Sequence, residues 1–269
     1  MNVTSADGST IATHVTGSGP VIVIVDPAMS TSKSATRLST ALTGFTAVTF
    51  DRRGRGGSSD SSSAAVAQPQ REVEDIEAVI DANGGSAILF GSSSGAALAL
   101  EAATLLGSKV TGLVLYEPPF IVDGSRPPLA PDLPARVATL VADGRLSAAV
   151  KAFFIEAIGV PPFGVAIMRL LPLWRDAKSV VPTVRYDFAV LAGTQNGKPL
   201  PAERWRGMLA PGLVLVGSKS EAFFHAGAQA LAVAVPSLRY EPLEGGTHGS
   251  PYTAPAGIAA RIIASFLQV

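Results

Sequence analysis

The chain has 269 residues, no cysteine and a formal net charge of zero, and 47% of its residues are hydrophobic while 16% are charged. Such a chain can build the core of a large α/β domain, and without cysteine it has no disulfides, thiolate nucleophile or Cys-ligated zinc. Arg52-Arg53-Gly54-Arg55 is its one basic stretch, so neither nucleic acid nor an anionic membrane is an expected partner.

The beginning of the chain, residues 1–8, lacks the basic and apolar regions of a signal peptide. No stretch approaches the roughly 18 uninterrupted apolar residues that indicate a transmembrane helix. We therefore expect a cytoplasmic protein that is a monomer or a homodimer.

Predicted strands and helices alternate along the chain. Residues 3–5 and 10–16 are joined by Asp7-Gly8 and predict a β-hairpin. Apolar runs typical of buried parallel strands follow at residues 21–25, 45–50, 87–90, 110–116, 212–216 and 238–243. Helical spacing or composition is found over residues 70–83, 96–106 and 258–267. This alternation indicates an α/β fold with a mostly parallel sheet.

Residues 120–206 interrupt the alternation. The segment starts Pro-rich, continues with helical patterns and holds eight of the chain's 17 Phe, Trp and Tyr residues, including both tryptophans. We interpret it as a helical cap inserted into a core of residues 1–119 and 207–269. Most of its aromatics should form the cap's own core, while a few face the cleft below. The candidates for substrate contact are Met29, Phe120, Phe153, Phe154, Trp174 and Tyr186.

Gly91-Ser92-Ser93-Ser94-Gly95 lies between a predicted strand and a predicted helix. This is the G-x-S-x-G nucleophile elbow in the context that the motif requires. The sharp turn would lift the Ser93 hydroxyl clear of the backbone, and the helix N-terminus would face a developing oxyanion. The sequence predicts Ser93 as a nucleophile and the Ser94 N–H as an oxyanion donor.

A nucleophilic serine needs a base, and the chain has three histidines. His248 lies in a Gly-rich loop between the last strand and the final helix, at the sheet edge where Ser93 is also expected. His14 belongs to the N-terminal hairpin, and His225 follows Glu221 by four residues on a helix, as in a solvated pair. We predict His248 as the base.

Three motifs together resemble the α/β-hydrolase superfamily. They are the turn Asp51-Arg52-Arg53-Gly54-Arg55-Gly56-Gly57-Ser58, the elbow, and Gly246-Thr247-His248 before the last helix. The segment after the sixth strand, Tyr116-Glu117-Pro118-Pro119, is similar to the corresponding segment of small bacterial serine hydrolases. The resemblance implies an α/β-hydrolase fold: a mostly parallel eight-stranded sheet, helices on both faces and a helical cap after strand six. It implies neither a metal nor an organic cofactor.

The acid of the expected triad departs from the usual pattern. The superfamily's acid follows the seventh strand, but Gly217-Ser218-Lys219-Ser220 has serine there. Some members use the end of the sixth strand instead, where this chain has Glu117. A carboxylate there can orient the histidine and stabilise its imidazolium form. We predict Glu117 as the acid; Glu221, or no acid at all, are the alternatives.

The second oxyanion donor should come from the turn Asp26-Pro27-Ala28-Met29 after the third strand. Pro27 has no N–H, so the donor would be Ala28, together with Met29. Relatives often have histidine in place of Asp26, whose charge would oppose an oxyanion unless Arg52 or Arg53 pairs with it.

These residues predict a serine hydrolase of the carboxylesterase type. Its partner would be a small to medium apolar ester, thioester or lactone, cleaved through an acyl-enzyme on Ser93. The alternative is a hydrolase-fold protein without ester turnover that binds a metabolite or steers its cyclisation or rearrangement.

Overall fold

A computed structural model of the chain describes residues 1–62 and 67–267. Eight strands form one sheet in the order β1-β2-β4-β3-β5-β6-β7-β8. They are β1 (Asn2–Thr4), β2 (Thr10–Gly17), β3 (Val21–Val25), β4 (Thr46–Phe50), β5 (Ala87–Ser92), β6 (Val110–Tyr116), β7 (Gly212–Gly217) and β8 (Leu238–Leu243). Only β1 and β2 pair antiparallel with their neighbours, and β3 to β8 are mutually parallel. The predicted fold class is confirmed; residues 63–66 and 268–269 of the predicted core lie outside the described residues.

Helices follow most of the strands. They are α1 (Thr36–Ala41), α2 (Pro69–Asp81), α3 (Ser94–Leu106), α4 (Leu133–Ala142), α5 (Leu146–Ala152), α6 (Pro162–Met168), α7 (Leu173–Val180), α8 (Val184–Val190), α9 (Ala222–Ala234), α10 (Ser250–Thr253) and α11 (Ala256–Phe266). Pro69 begins α2, where its missing N–H costs no helical hydrogen bond. Within the described ranges, no helix has both the length and the apolar character needed to cross a membrane.

The parallel strands are apolar on both faces because helices cover both. Alternate residues of β3 point to opposite sides, so Val23 joins one buried cluster and Ile24 joins another. The first cluster includes residues of α2, α3 and α9, and the second includes residues of α1 and α11. The central strands are therefore buried and hold the loops at their carboxyl ends in fixed positions.

The inserted segment, residues 120–206, joins β6 to β7 by helices and turns without a strand. It has a buried apolar cluster of its own, built from residues of α4, α5, α6 and α7. Its last turn is attached to α3 because Arg204 forms an ion pair with Glu101 at 2.6 Å. The indole of Trp205 also donates to Glu101 at 2.7 Å.

The start of α3 packs directly on the end of β3. A Cβ at Gly95 would overlap the carbonyl oxygen of Val25 and lie 2.6 Å from that of Asp26. A Cβ at Gly91 would similarly overlap the backbone of Gly95 and Ala96. Both glycines of the G-x-S-x-G motif are thus required by close backbone approach.

We expect Gly95→Ala to destabilise the protein, because the added methyl group meets backbone that cannot move aside. Overpacking of this kind costs at least about 1–3 kcal/mol, or roughly 2–5 °C in Tm for a chain of this size. Thermal unfolding measures it. Gly124→Ala is the control, since no atom lies within 4 Å of its added Cβ. Equal Tm values for both variants would contradict the close approach.

Candidate active site

Ser93 occupies the sharp turn between β5 and α3. Its φ of 54° and ψ of −126° are unusual for a residue with a side chain. The Ser93 N–H donates to the carbonyl of Tyr116 at 2.8 Å, which ties the turn to the end of β6. Strained backbone that its surroundings enforce is concentrated at functional sites, and the Ser93 side chain lines a cavity.

His248 and Glu117 are in contact. The His248 Nδ1 and the Glu117 Oε2 are 2.7 Å apart, the Glu117 side chain is fully buried, and that of His248 is 45% exposed. Phe224 stacks on the imidazole with ring centroids 4.6 Å apart. Glu117 and Phe224 together fix the ring plane and leave Nε2 as the nitrogen that a reacting group can use.

The second oxygen of Glu117 is also bound. Oε1 accepts the Gly217 N–H at 2.7 Å and the Ser220 hydroxyl at 2.6 Å. Ser220 thus lies in the turn after β7, where the superfamily's acid usually lies, and it donates a hydrogen bond to Glu117 at the end of β6. Glu221 is exposed at the start of α9, so the structure brings Glu117, rather than Glu221, to His248.

Further contacts join the elbow to the His248 loop. Tyr116 Oη donates to the Thr247 carbonyl at 2.6 Å, and the side chains of Ser92 and Tyr252 are hydrogen-bonded. Over the described residues, no hydrogen bond links Ser93 to His248. Catalytic hydrogen bonds are often long in unliganded enzymes and shorten when substrate binds.

The turn after β3 is joined to the elbow through Ser94. The Ala28 N–H donates to the Ser94 Oγ at 2.8 Å, and the Ser94 hydroxyl donates to Asp187 Oδ1 at 2.8 Å. Ala28 and Ser94 both line the cavity beside Ser93. The two predicted oxyanion donors are thus brought together, and the Ala28 amide already has an acceptor.

Two buried arginines hold Asp187. Arg52 contacts its Oδ1 at 2.6 Å, Arg55 contacts its Oδ2 at 2.7 Å, and all three side chains are at most 2% exposed. Arg52 also makes two hydrogen bonds to Glu72, of 2.7 and 2.8 Å. Burial opposes ionisation of Asp187, but Arg52 and Arg55 outweigh it and lower the pKa of this carboxyl.

Asp26 is not paired as expected. Its carboxyl group is buried without a hydrogen-bond partner in the described part of the chain. Arg52 donates instead to the Asp26 carbonyl oxygen at 3.2 Å, and Arg53 binds Asp75 and Asp7. Burial raises the pKa of Asp26 to about 8, although Arg55 and Arg52 act against the rise. The raised pKa favours the protonated, neutral side chain, which would bring no charge to the turn after β3.

The cavity at Ser93 has a volume of about 40 Å³. Its lining consists of Ala28, Ser93, Ser94, Pro119, Phe153, Ala157, Ile158, Asp187, Phe188, Leu191 and Gln195. Phe153 is thus the one predicted aromatic contact that reaches it. Met29 and Phe154 pack against the cluster of the inserted segment instead.

Three other candidate contacts lie away from the cavity. Phe120 stacks on Trp205 with ring centroids 5.7 Å apart. The Trp174 indole donates to Ser147 at 3.2 Å, and the Tyr186 hydroxyl donates to Asp60 at 2.9 Å. These aromatics are core residues because each is buried, at 0%, 6% and 1% exposure for Phe120, Trp174 and Tyr186.

The sequence interpretation missed the contribution of α8. Asp187, Phe188 and the following Leu191 line the cavity. One signal was available: Asp187 stands in the mostly apolar stretch Tyr186-Asp187-Phe188-Ala189-Val190. A carboxylate in such a stretch is buried only with charged partners, and the basic Arg52-Arg53-Gly54-Arg55 stretch could supply them.

Asp26 should make stability depend on pH. Its folded pKa of about 8 exceeds the unfolded value of 3.8, so the folded state binds the extra proton between these values. Stability is then lost as pH rises from about 4 to about 8, by up to about 1.4 kcal/mol per pH unit. Asp26→Asn cannot ionise at this position, so its Tm should not fall for this reason. The Tm difference between Asp26→Asn and the unmodified protein should therefore grow as pH rises from about 4 to about 8 and stay constant above pH 8.

Thermal unfolding of both proteins at intervals between pH 4 and pH 9 measures this difference. Asp176→Asn is the control, because Asp176 is exposed. Parallel Tm curves for Asp26→Asn and the unmodified protein would show that Asp26 is ionised in the folded state.

The chain matches the alpha/beta hydrolase family over residues 23–261. An alpha/beta hydrolase from Sphaerobacter thermophilus is 41% identical, with a TM-score of 0.86 over 99% of this chain and 100% of that one. An enol-lactonase from Burkholderia xenovorans is 17% identical, with a TM-score of 0.73 and full coverage of both chains. An esterase from a Rhodococcus species is 22% identical, with a TM-score of 0.71 over 100% of this chain and 99% of that one.

The last two similarities concern the fold alone, and a comparison with curated protein sequences gives no match. The family match spans most of the chain and includes the elbow, Glu117 and His248. This chain belongs to the alpha/beta hydrolase family.

Proposed function

We propose that the protein is a serine hydrolase that cleaves carboxylic esters with a short, apolar acyl group. The observation that carries the proposal is the 2.7 Å contact between His248 Nδ1 and the buried carboxylate of Glu117. It orients an imidazole at the same sheet edge as the strained Ser93 turn. A solved structure with the same fold is named an esterase, which agrees with this reaction class.

In the proposed reaction, the Ser93 Oγ attacks the ester carbonyl while the His248 Nε2 accepts its proton. His248 then gives the proton to the leaving alcohol and activates water to release the acid. Glu117 holds the tautomer with hydrogen on Nδ1 and stabilises the imidazolium. Its other oxygen, Oε1, accepts hydrogen bonds from Gly217 and Ser220, which keep the carboxylate in place.

The oxyanion would bind between the amides of Ser94 and Ala28. Ser94 begins α3, so its N–H is among those without an acceptor inside the helix. The Ala28 N–H would be shared with the Ser94 Oγ, its acceptor in this structure. Neutral Asp26 matters here, because a charge beneath this turn would raise the energy of the oxyanion.

The cavity at Ser93 sets the proposed size of the acyl group. Its volume of about 40 Å³ admits about three water-sized groups, at about 10–15 Å³ each. Most of the lining is apolar, and the charge of Asp187 is neutralised by Arg52 and Arg55. Acetyl and propionyl groups fit this space; long or charged acyl groups do not.

One observation favours a second function, the binding of a metabolite without ester turnover. The Ala28 amide already donates to Ser94, so the oxyanion site is not fully open before a ligand binds. The labelling experiment below separates the two functions.

We expect the unmodified protein to hydrolyse p-nitrophenyl acetate and to be labelled by a fluorophosphonate on Ser93. Ser93→Ala should lose labelling and at least about 10³-fold in kcat, since loss of a triad serine costs up to about 10⁶-fold. Ser108→Ala, at an exposed serine, is the control. If the Ser93→Ala and unmodified proteins turn over equally and neither is labelled, metabolite binding is the better description.

Glu117→Gln should lower kcat by about 10²–10⁴-fold with little change in KM, because an amide cannot stabilise the imidazolium and favours the wrong tautomer. Glu221→Gln should stay within about twofold of the unmodified protein, since Glu221 is exposed. Steady-state kinetics at pH 7 and the rate of Ser93 labelling measure both effects. A larger loss in Glu221→Gln would transfer the acid's role to that residue.

A further inference from the structure

We propose that Phe188 determines acyl-chain length by separating the small cavity at Ser93 from a larger apolar cavity. The inference rests on the proposed function, since it concerns the acyl group that Ser93 accepts. It identifies the space that a longer chain would occupy and the side chain that keeps the chain out.

The larger cavity has a volume of about 530 Å³. Its lining includes two stretches of chain: α4 contributes Pro134, Val137, Ala138, Val141 and Ala142, and residues Val181 to Arg185 contribute the other. Asp60 and Arg185 pair with each other at 2.8 Å and do not offer a free charge to a ligand. The space therefore suits an uncharged alkyl or aryl chain.

Phe188 is the one residue that lines both cavities in the described structure. Its neighbours in sequence divide in the same way: Arg185 lines the larger cavity and Asp187 the smaller. Phe188 thus lies between the two spaces, and shortening its side chain is the change expected to join them.

Contacts on both the ring and the backbone hold Phe188 in place. Its ring meets that of Phe153 edge to face, with centroids 5.8 Å apart and planes at 68°. Its backbone is anchored by the preceding residue, because Asp187 binds both Arg52 and Arg55. A shorter side chain at 188 would leave these anchors in place and should enlarge the site without moving Ser93.

Phe188→Ala should raise the ratio of kcat/KM for p-nitrophenyl octanoate to that for p-nitrophenyl acetate. We expect a gain of at least about 10-fold, since even one methylene in an apolar pocket changes selectivity by about 10–200-fold. Phe188→Leu should give a smaller gain and guards against a folding defect in the alanine variant. Phe163→Ala is the control, because Phe163 is a 72% exposed aromatic that lines neither cavity.

A second substitution tests where the longer chain goes. Ala138→Trp places a large side chain in the larger cavity, so it should remove the gain when combined with Phe188→Ala. In the unmodified background, Ala138→Trp should leave acetate hydrolysis unchanged. If the ratio stays constant in both Phe188 variants while Ser93 labelling persists, or if Ala138→Trp does not remove the gain, the inference is overturned.

Failure of the proposed function would be recognised separately, by a lack of acetate hydrolysis and Ser93 labelling in the unmodified protein. Calorimetric binding of 1-octanol tests the partition without turnover. Phe188→Ala should bind octanol at least about 10-fold more tightly than the unmodified protein. Equal affinity would show that Phe188 does not separate the two spaces.

Discussion

The architecture of the site depends on a buried ionic cluster at the carboxyl edge of the sheet. Arg52 and Arg55 come from the turn after β4, Glu72 from α2, and Asp187 from α8 in the inserted segment. Removing one partner from such a cluster costs about 3–5 kcal/mol, whereas replacing a whole cluster by apolar residues can be neutral. The main effect of the cluster is therefore to hold the turn after β4, α2 and α8 in fixed positions relative to one another.

That geometry reaches the reacting groups through hydrogen bonds. Arg55 donates to the Pro27 carbonyl at 2.6 Å, and Asp187 accepts the hydroxyl of Ser94, which itself accepts the Ala28 amide. The turn after β3, the elbow and α8 are consequently held as one unit. Because α8 also carries Phe188, the same cluster sets the shape of the cavity at Ser93 and the positions of Ala28 and Ser94, the proposed oxyanion donors.

The sequence predicts the parts of the site that depend on local patterns. The elbow motif predicts Ser93, and the position of a Gly-rich loop at the carboxyl edge of the sheet predicts His248. Glu117 is predicted because some members of the superfamily have their acid at the end of the sixth strand. The residues that line the cavity are harder to predict from the sequence. Asp187 binds Ser94 across 93 residues of chain, and no short sequence pattern indicates a contact over that separation. Phe120 lies away from the cavity for a similar reason: it stacks on Trp205, at the far end of the inserted segment.

Burial explains how an acid can stand at position 26. Arg52 and Arg55 lower the pKa of Asp26, but both are already paired with the carboxylates of Asp187 and Glu72, so they do not outweigh the effect of burial. The Asp26 carboxyl has no donor in the described structure to compensate for lost hydration. Remaining protonated is thus the lower-energy state, and burial raises the pKa of Asp26 to about 8. In the proposed reaction, a neutral carboxyl at this position would not oppose the negative charge that ester hydrolysis develops near the turn after β3.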